Sequence, residues 1–78
     1  MDSKPKFEIE SVFGIIGATE KVNKKLCLVS WNSRTPVYDL RAWSIYNEPF
    51  KGVSMNGEEL RELRKILNEM DLGGDDDV

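Results

Sequence analysis

Residues 31–43 read W-N-S-R-T-P-V-Y-D-L-R-A-W, and this run limits the fold of the chain more than any other feature. Asn32–Pro36 is a turn, and Pro36 lacks the N–H that a central ladder needs, so a strand begins at its far side. From Val37 onward, alternation sets Asp39, Arg41 and Trp43 on one face and Tyr38, Leu40 and Ala42 on the other. A hairpin, and with it an antiparallel sheet, is the expected outcome. An Arg and a Trp two residues apart on one face can pair a phosphate and stack a base, which is how single strands are held without reading their sequence. The plainer alternative is that aromatics on a strand are packing. The first reading takes the Arg41–Trp43 face as exposed and the Tyr38–Leu40 face as the one turned to the core.

The rest of the chain extends this sheet. Residues 6–19 alternate at first, with Phe7, Ile9 and Ser11 opposed to Glu8, Glu10 and Val12, and then meet Gly14 and Gly17. Glycine within a strand marks a bulge, a bend or close backbone approach, so one long curved strand is predicted. Residues 20–25 read as a polar connector and Leu26–Trp31 as the second strand. Val37–Ile45 is the third, residues 46–50 are a loop, and Lys51–Met55 is a short fourth strand. Asn56, with Glu59 three positions on, predicts a capped helix start. Leu60, Leu63, Leu67 and Met70, widened by Ile66, form its apolar stripe, and the helix is expected to end near Leu72, before Gly73–Gly74.

The fold class is therefore α+β: a curved four-stranded antiparallel sheet followed by one C-terminal helix, in the order β-β-β-β-α. The expected organisation is a flexible N-terminus over residues 1–5, one domain over 6–72 and an acidic disordered tail over 73–78. One amphipathic helix is a small cover for a curved sheet. A homodimer paired through Leu60, Leu63, Leu67 and Met70 supplies a second helix by twofold symmetry.

Charge and residue types narrow the function classes. Net charge is −3, but it is divided: residues 1–55 hold 8 Lys/Arg and 6 Asp/Glu (+2), and residues 56–78 hold 3 and 8 (−5). The sheet half is mildly basic, without the long basic stripe that grips duplex DNA. There is no His and one Cys, Cys27. No Cys/His metal site, nucleophile–base pair or phosphate-cradling Gly loop can be assembled, so no catalytic residue, metal or cofactor is expected and the chain does not read as an enzyme. The M-D-S-K-P-K start has no apolar segment, and no membrane span is predicted; a cytoplasmic setting is expected.

The order β-β-β-β-α, Y-D-L-R-A-W at 38–43, and K-G-V-S-M-N at 51–56 leading into the helix resemble the transcriptional coactivator family of positive cofactor four. W-N at 31–32, P at 36, Y-D-L-R-A-W-S at 38–44 and K-G at 51–52 resemble its small bacterial single-strand-binding members more closely. The resemblance covers about residues 6–70. It implies a dimer formed through the helix and single-stranded DNA bound on an exposed curved sheet. Under it, Arg41 and Lys51 correspond to basic residues on the nucleic-acid side, and Trp31 and Trp43 to aromatic positions. The larger coactivators carry a further Trp where this chain has Ser44. Gly14, Ile16 and Leu28 stand where some relatives are basic.

The candidate nucleic-acid contacts are thus Trp31, Arg41, Trp43 and Lys51, with Lys21, Lys24 and Lys25 as a basic loop cluster. Each has a simpler reading. Arg41 can pair with Asp39 two residues away, Lys51 can guard a strand edge, and the loop lysines can be merely solvated. Single-stranded DNA is the expected ligand, with RNA left open, and transcription or recombination proteins are the further partners considered. The competing class is a protein-interaction module using an exposed aromatic sheet face.

Overall fold

The computed structural model describes residues 6–73. The expected N-terminal segment 1–5 and residues 74–78 of the expected tail lie outside the described residues. The element order is β1 (Phe7–Ala18), β2 (Val22–Trp31), β3 (Val37–Ser44), β4 (Pro49–Met55) and α1 (Gly57–Glu69). The strands form one antiparallel meander in the order β1-β2-β3-β4. This is the α+β, β-β-β-β-α architecture expected from the sequence. Among the described residues, no helix is long and apolar enough to cross a membrane.

Element boundaries differ by more than one residue in three places. β2 starts at Val22, not Leu26, because Val22–Lys25 pair with Arg41–Ser44 of β3. Lys24 and Lys25 are therefore strand residues pointing to opposite faces, not members of a loop cluster. β4 begins at Pro49, which faces Trp43. Proline is tolerated there because β4 is an edge strand with one side free of ladder bonds. The helix stops at Glu69, three residues before Leu72, with Met70 as an extended C-cap.

The capping signal is realised in full. Asn56 Oδ1 accepts from Glu59 N at 2.8 Å, and Asn56 N donates to Glu59 Oε1 at 2.9 Å. These bonds satisfy donors that the first helical turn leaves without partners.

β1 is coiled by three irregularities, between Ile9/Ser11, Val12/Gly14 and Ile15/Gly17. Two of the three end at a glycine. Each inserts an extra residue on β1, which sharpens the local twist and bends the strand. The curvature has a visible result across the sheet. Trp43 faces Asn23, eight residues along β2 from Trp31. A flat strand would separate those positions by about 26 Å. Instead the two indoles stack with centroids 6.2 Å apart and planes within 8°. Side-chain reach covers part of that distance, and curling of the sheet covers the rest. The face carrying both indoles is thus the concave one.

The concave face is the core. Cys27, Val29 and Trp43 are fully buried there, with Phe7, Ile9 and Trp31 packed against them. Phe7 lies 5.7 Å from Trp31 and 5.3 Å from Trp43, tilted against both. The β3 alternation is as predicted, but its burial is reversed. Asp39 and Trp43 are 0% exposed, whereas Tyr38 and Leu40 on the convex face are only half-buried. The pattern of alternation cannot distinguish the two sides; curvature decides, by closing the Trp side upon itself.

α1 lies at the convex side, near Tyr38 and Leu26. It buries none of its residues completely. Leu60 and Leu63 are half-buried, while Ile66, Leu67 and Met70 remain 52%, 47% and 48% exposed. Between helix and sheet runs an open groove of about 520 Å³, with Leu26, Tyr38, Leu60, Leu63 and Leu67 in its walls.

Candidate functional site

On the concave face, Trp31, Arg41, Trp43 and Lys25, four of the residues expected to contact nucleic acid, make contacts within the protein. Asp39, fully buried, is met by Arg41 in a fork: Nε to Oδ1 at 2.6 Å and Nη2 to Oδ2 at 2.9 Å. Ser54 Oγ donates to the same Oδ2 at 2.8 Å. The remaining Arg41 nitrogen, Nη1, donates to the Phe50 carbonyl at 2.9 Å. All three guanidinium nitrogens are therefore engaged, and the group also lies 4.7 Å from the Trp31 ring centre. A two-pronged Arg–carboxylate pair fixes geometry as well as charge. Arg41 is thus paired with Asp39 two residues away, as the spacing allowed.

Gly52 makes this arrangement possible. It faces Arg41 across the β3–β4 ladder, and a Cβ on it would lie 1.9 Å from Arg41 Cβ and 2.6 Å from Arg41 Cα. The K-G pair of the sequence is thus explained by close strand approach.

Trp43 and Lys25 are both buried, not exposed. Trp43 is fully buried, so no base can reach its face while the fold is intact. Lys25 is 8% exposed. Its ammonium donates to Asn47 Oδ1 at 3.0 Å and sits 5.6 Å from the Trp43 ring centre. Its aliphatic stem covers apolar surface while its charge is satisfied at the rim, a common disposition of long cationic side chains. Trp31 is half-buried, with Phe7, Trp43 and the Arg41 guanidinium all against it. The Nε1 atoms of Trp31 and Trp43 are buried without an acceptor among the described residues, so ring packing, not hydrogen bonding, holds the pair. Burial raises the pKa of the adjacent Cys27 thiol; Lys25 partly offsets this, and Asp39 adds to it.

The convex face has a different character. Lys24 pairs in register with Ala42, and Lys51 precedes Gly52 on β4. Both lysines are exposed. With Ile16, Leu40, Arg41 and Ala42 they line a shallow depression of about 250 Å³. Lys21 is exposed in the β1–β2 turn at the same end of the sheet. Of the seven residues expected to contact nucleic acid, Lys21, Lys24 and Lys51 stay accessible together. Trp43 and Lys25 are buried, and Arg41 and Trp31 are half-buried on the concave face.

The sequence reading passed over two exposed rings at that same end. Tyr46 is 80% exposed and Phe50 46%. Ser44 at the end of β3 and Asn47 just after Tyr46 are the turn-favouring residues that could have drawn attention to it. Farther along the convex face, Phe13 rests against Tyr38 with ring centroids 5.9 Å apart. No group of three or more His, Cys, Asp or Glu side chains among the described residues is placed to hold a metal ion.

No family model matches the chain. A stretch of 45 residues is 44% identical to an uncharacterized protein of Treponema pallidum (strain Nichols), covering 56% of this chain and 53% of that protein. The chain therefore spans about half the length of the curated relative it matches.

Proposed function

We propose that this chain is a sequence-tolerant binder of single-stranded DNA that works as a homodimer, in the manner of the coactivator family its sequence resembles. The observation that carries the reading is the convex depression. Lys24 on β2 and Lys51 on β4 stand exposed on either side of Leu40 and Ala42 of β3, with Ile16 of β1 beyond Lys24, and Lys21 and two exposed rings lie at the same end. Ammonium groups suit phosphates, and an apolar floor suits base or sugar faces without selecting a sequence. The residues that bind differ from those first expected: Arg41, Trp43 and Lys25 support the surface from within.

The dimer reading rests on the open helix–sheet groove and the half-exposed Leu67 and Met70 beside it. A second helix, brought by a twofold axis, would fill the groove and cover that stripe. The competing reading, a protein-docking surface, draws on Val12, Phe13, Ile15 and Ile16, which are 50–66% exposed on the edge strand β1.

A labelled oligothymidine titrated at two salt concentrations, beside a duplex of equal length, tests the proposal. Single strand should bind more tightly. With two or three lysines per protomer, the slope of log K against log salt should be on the order of −3 to −4 for the dimer, at about 0.7 per phosphate. Lys24→Ala with Lys51→Ala should flatten it. Equal affinity for duplex, or no binding of either, removes the reading and leaves the protein-docking alternative.

A further inference from the structure

We propose that the β3–β4 turn is a preorganised stacking element, in which the Tyr46 ring takes up one unpaired base of the bound strand. This rests on the single-strand reading above and adds an aromatic contact to the same end of the sheet.

Tyr46 is 80% exposed, more than any other large hydrophobic side chain among the described residues. The backbone beneath it is tightly held. Ser44 Oγ accepts from Tyr46 N and from Glu48 N, each at 3.1 Å. Ser44 N donates to the Glu48 carbonyl, and Asn47 N to the Ser44 carbonyl, each at 2.9 Å. Asn47 adopts the left-handed conformation that closes the turn, with φ 61°. Its side chain is then gripped from the core side by Lys25 Nζ at 3.0 Å.

Five hydrogen bonds thus fix a turn whose central ring touches none of the aromatic cluster. Such rigidity under an exposed ring lowers the ordering cost of contact. A tyrosine ring adds large flat area with few rotatable bonds. Position supports a shared ligand. Ser44 faces Val22, and Ala42 faces Lys24, so Tyr46 lies four residues beyond the register position of Lys24. That is at most about 13 Å of extended chain. A strand whose phosphate meets Lys24 can therefore lay a neighbouring base on Tyr46. Lys25 then acts as a positioning residue, holding the turn and not the ligand.

The test compares wild type, Tyr46→Ala and Tyr46→Trp in titrations with labelled oligothymidine, with far-ultraviolet circular dichroism and thermal melts as folding controls. Tyr46→Ala should stay folded and lose about five- to a hundredfold in affinity, the span expected for removing one stacked base. Its salt slope should be unchanged, since no charge is lost. Tyr46→Trp should retain affinity, and its new, exposed indole should be quenched on binding while wild-type emission barely changes. If wild type binds but Tyr46→Ala binds within twofold of it and Tyr46→Trp is not quenched, the stacking role is wrong and the single-strand reading stands. If wild type does not bind, both fall.

Discussion

Trp43→Ala separates the two roles that this ring could have. The side chain is 0% exposed, stacked on Trp31 at 6.2 Å and tilted on Phe7 at 5.3 Å. Removing a buried Trp costs about 3–5 kcal/mol, from lost transfer energy and the cavity left behind. A domain of this size has a total stability of only about 4–12 kcal/mol, at roughly 0.05–0.15 kcal/mol per residue. The variant should therefore be marginal. Urea denaturation followed by circular dichroism should show a midpoint far below wild type at a similar m-value, or no folded baseline at all. Trp43→Phe keeps a ring in the cluster and should recover a large part of the difference. A Trp43→Ala protein within about 1 kcal/mol of wild type, yet selectively weak for oligothymidine, would refute the placement of this residue in the core.

Asp39→Ala leaves Arg41 without its carboxylate and should cost about 3–5 kcal/mol in denaturant titration; Arg41→Met in the same protein should restore part of that loss, because the stranded charge is removed. Gly52→Ala should destabilise by more than about 3 kcal/mol or prevent folding, since the methyl would overlap Arg41 Cβ and backbone, neither of which can swing away. Leu63→Asp places a carboxylate in the helix–sheet groove and should yield monomer or unfolded chain in sedimentation; wild type sedimenting as a stable monomer at micromolar concentration would remove the dimer.

The sequence was most informative where a signal is local. The Asn56–Glu59 box, the bulge-marking Gly14 and Gly17, and the alternation Tyr38–Trp43 each depend on neighbours along one element, and each is found as expected. Two kinds of feature depend on distant partners and could not be read this way. The concave sign of the Trp face arises from three β1 bulges acting together, which bring Trp31 and Trp43 into contact from opposite ends of the sheet. The extension of β2 through Val22–Lys25 runs against its polar appearance. It is stabilised by pairing with β3 and by Lys25 lying over Trp43 while bonding Asn47. The Arg41 site was legible in half: its pairing with Asp39 follows from i,i+2 spacing, but its third bond, to the Phe50 carbonyl, needs the close approach that Gly52 permits. Tyr46 was hidden because its context, S-I-Y-N-E, reads as an ordinary turn; only the hydrogen bonds show that the turn is rigid.

The proposal that a single strand binds at the convex end is tested most directly by two-dimensional amide NMR of the protein with and without oligothymidine. Its two indole N–H resonances report the concave core, and the amides of Lys24, Ala42, Tyr46 and Lys51 report the convex end. Binding should shift those four amides and their neighbours progressively and leave both indole resonances in place. Indole resonances that move first, with the convex amides unchanged, would put the ligand on the Trp face, and no shifts at saturating oligonucleotide would contradict single-strand binding itself.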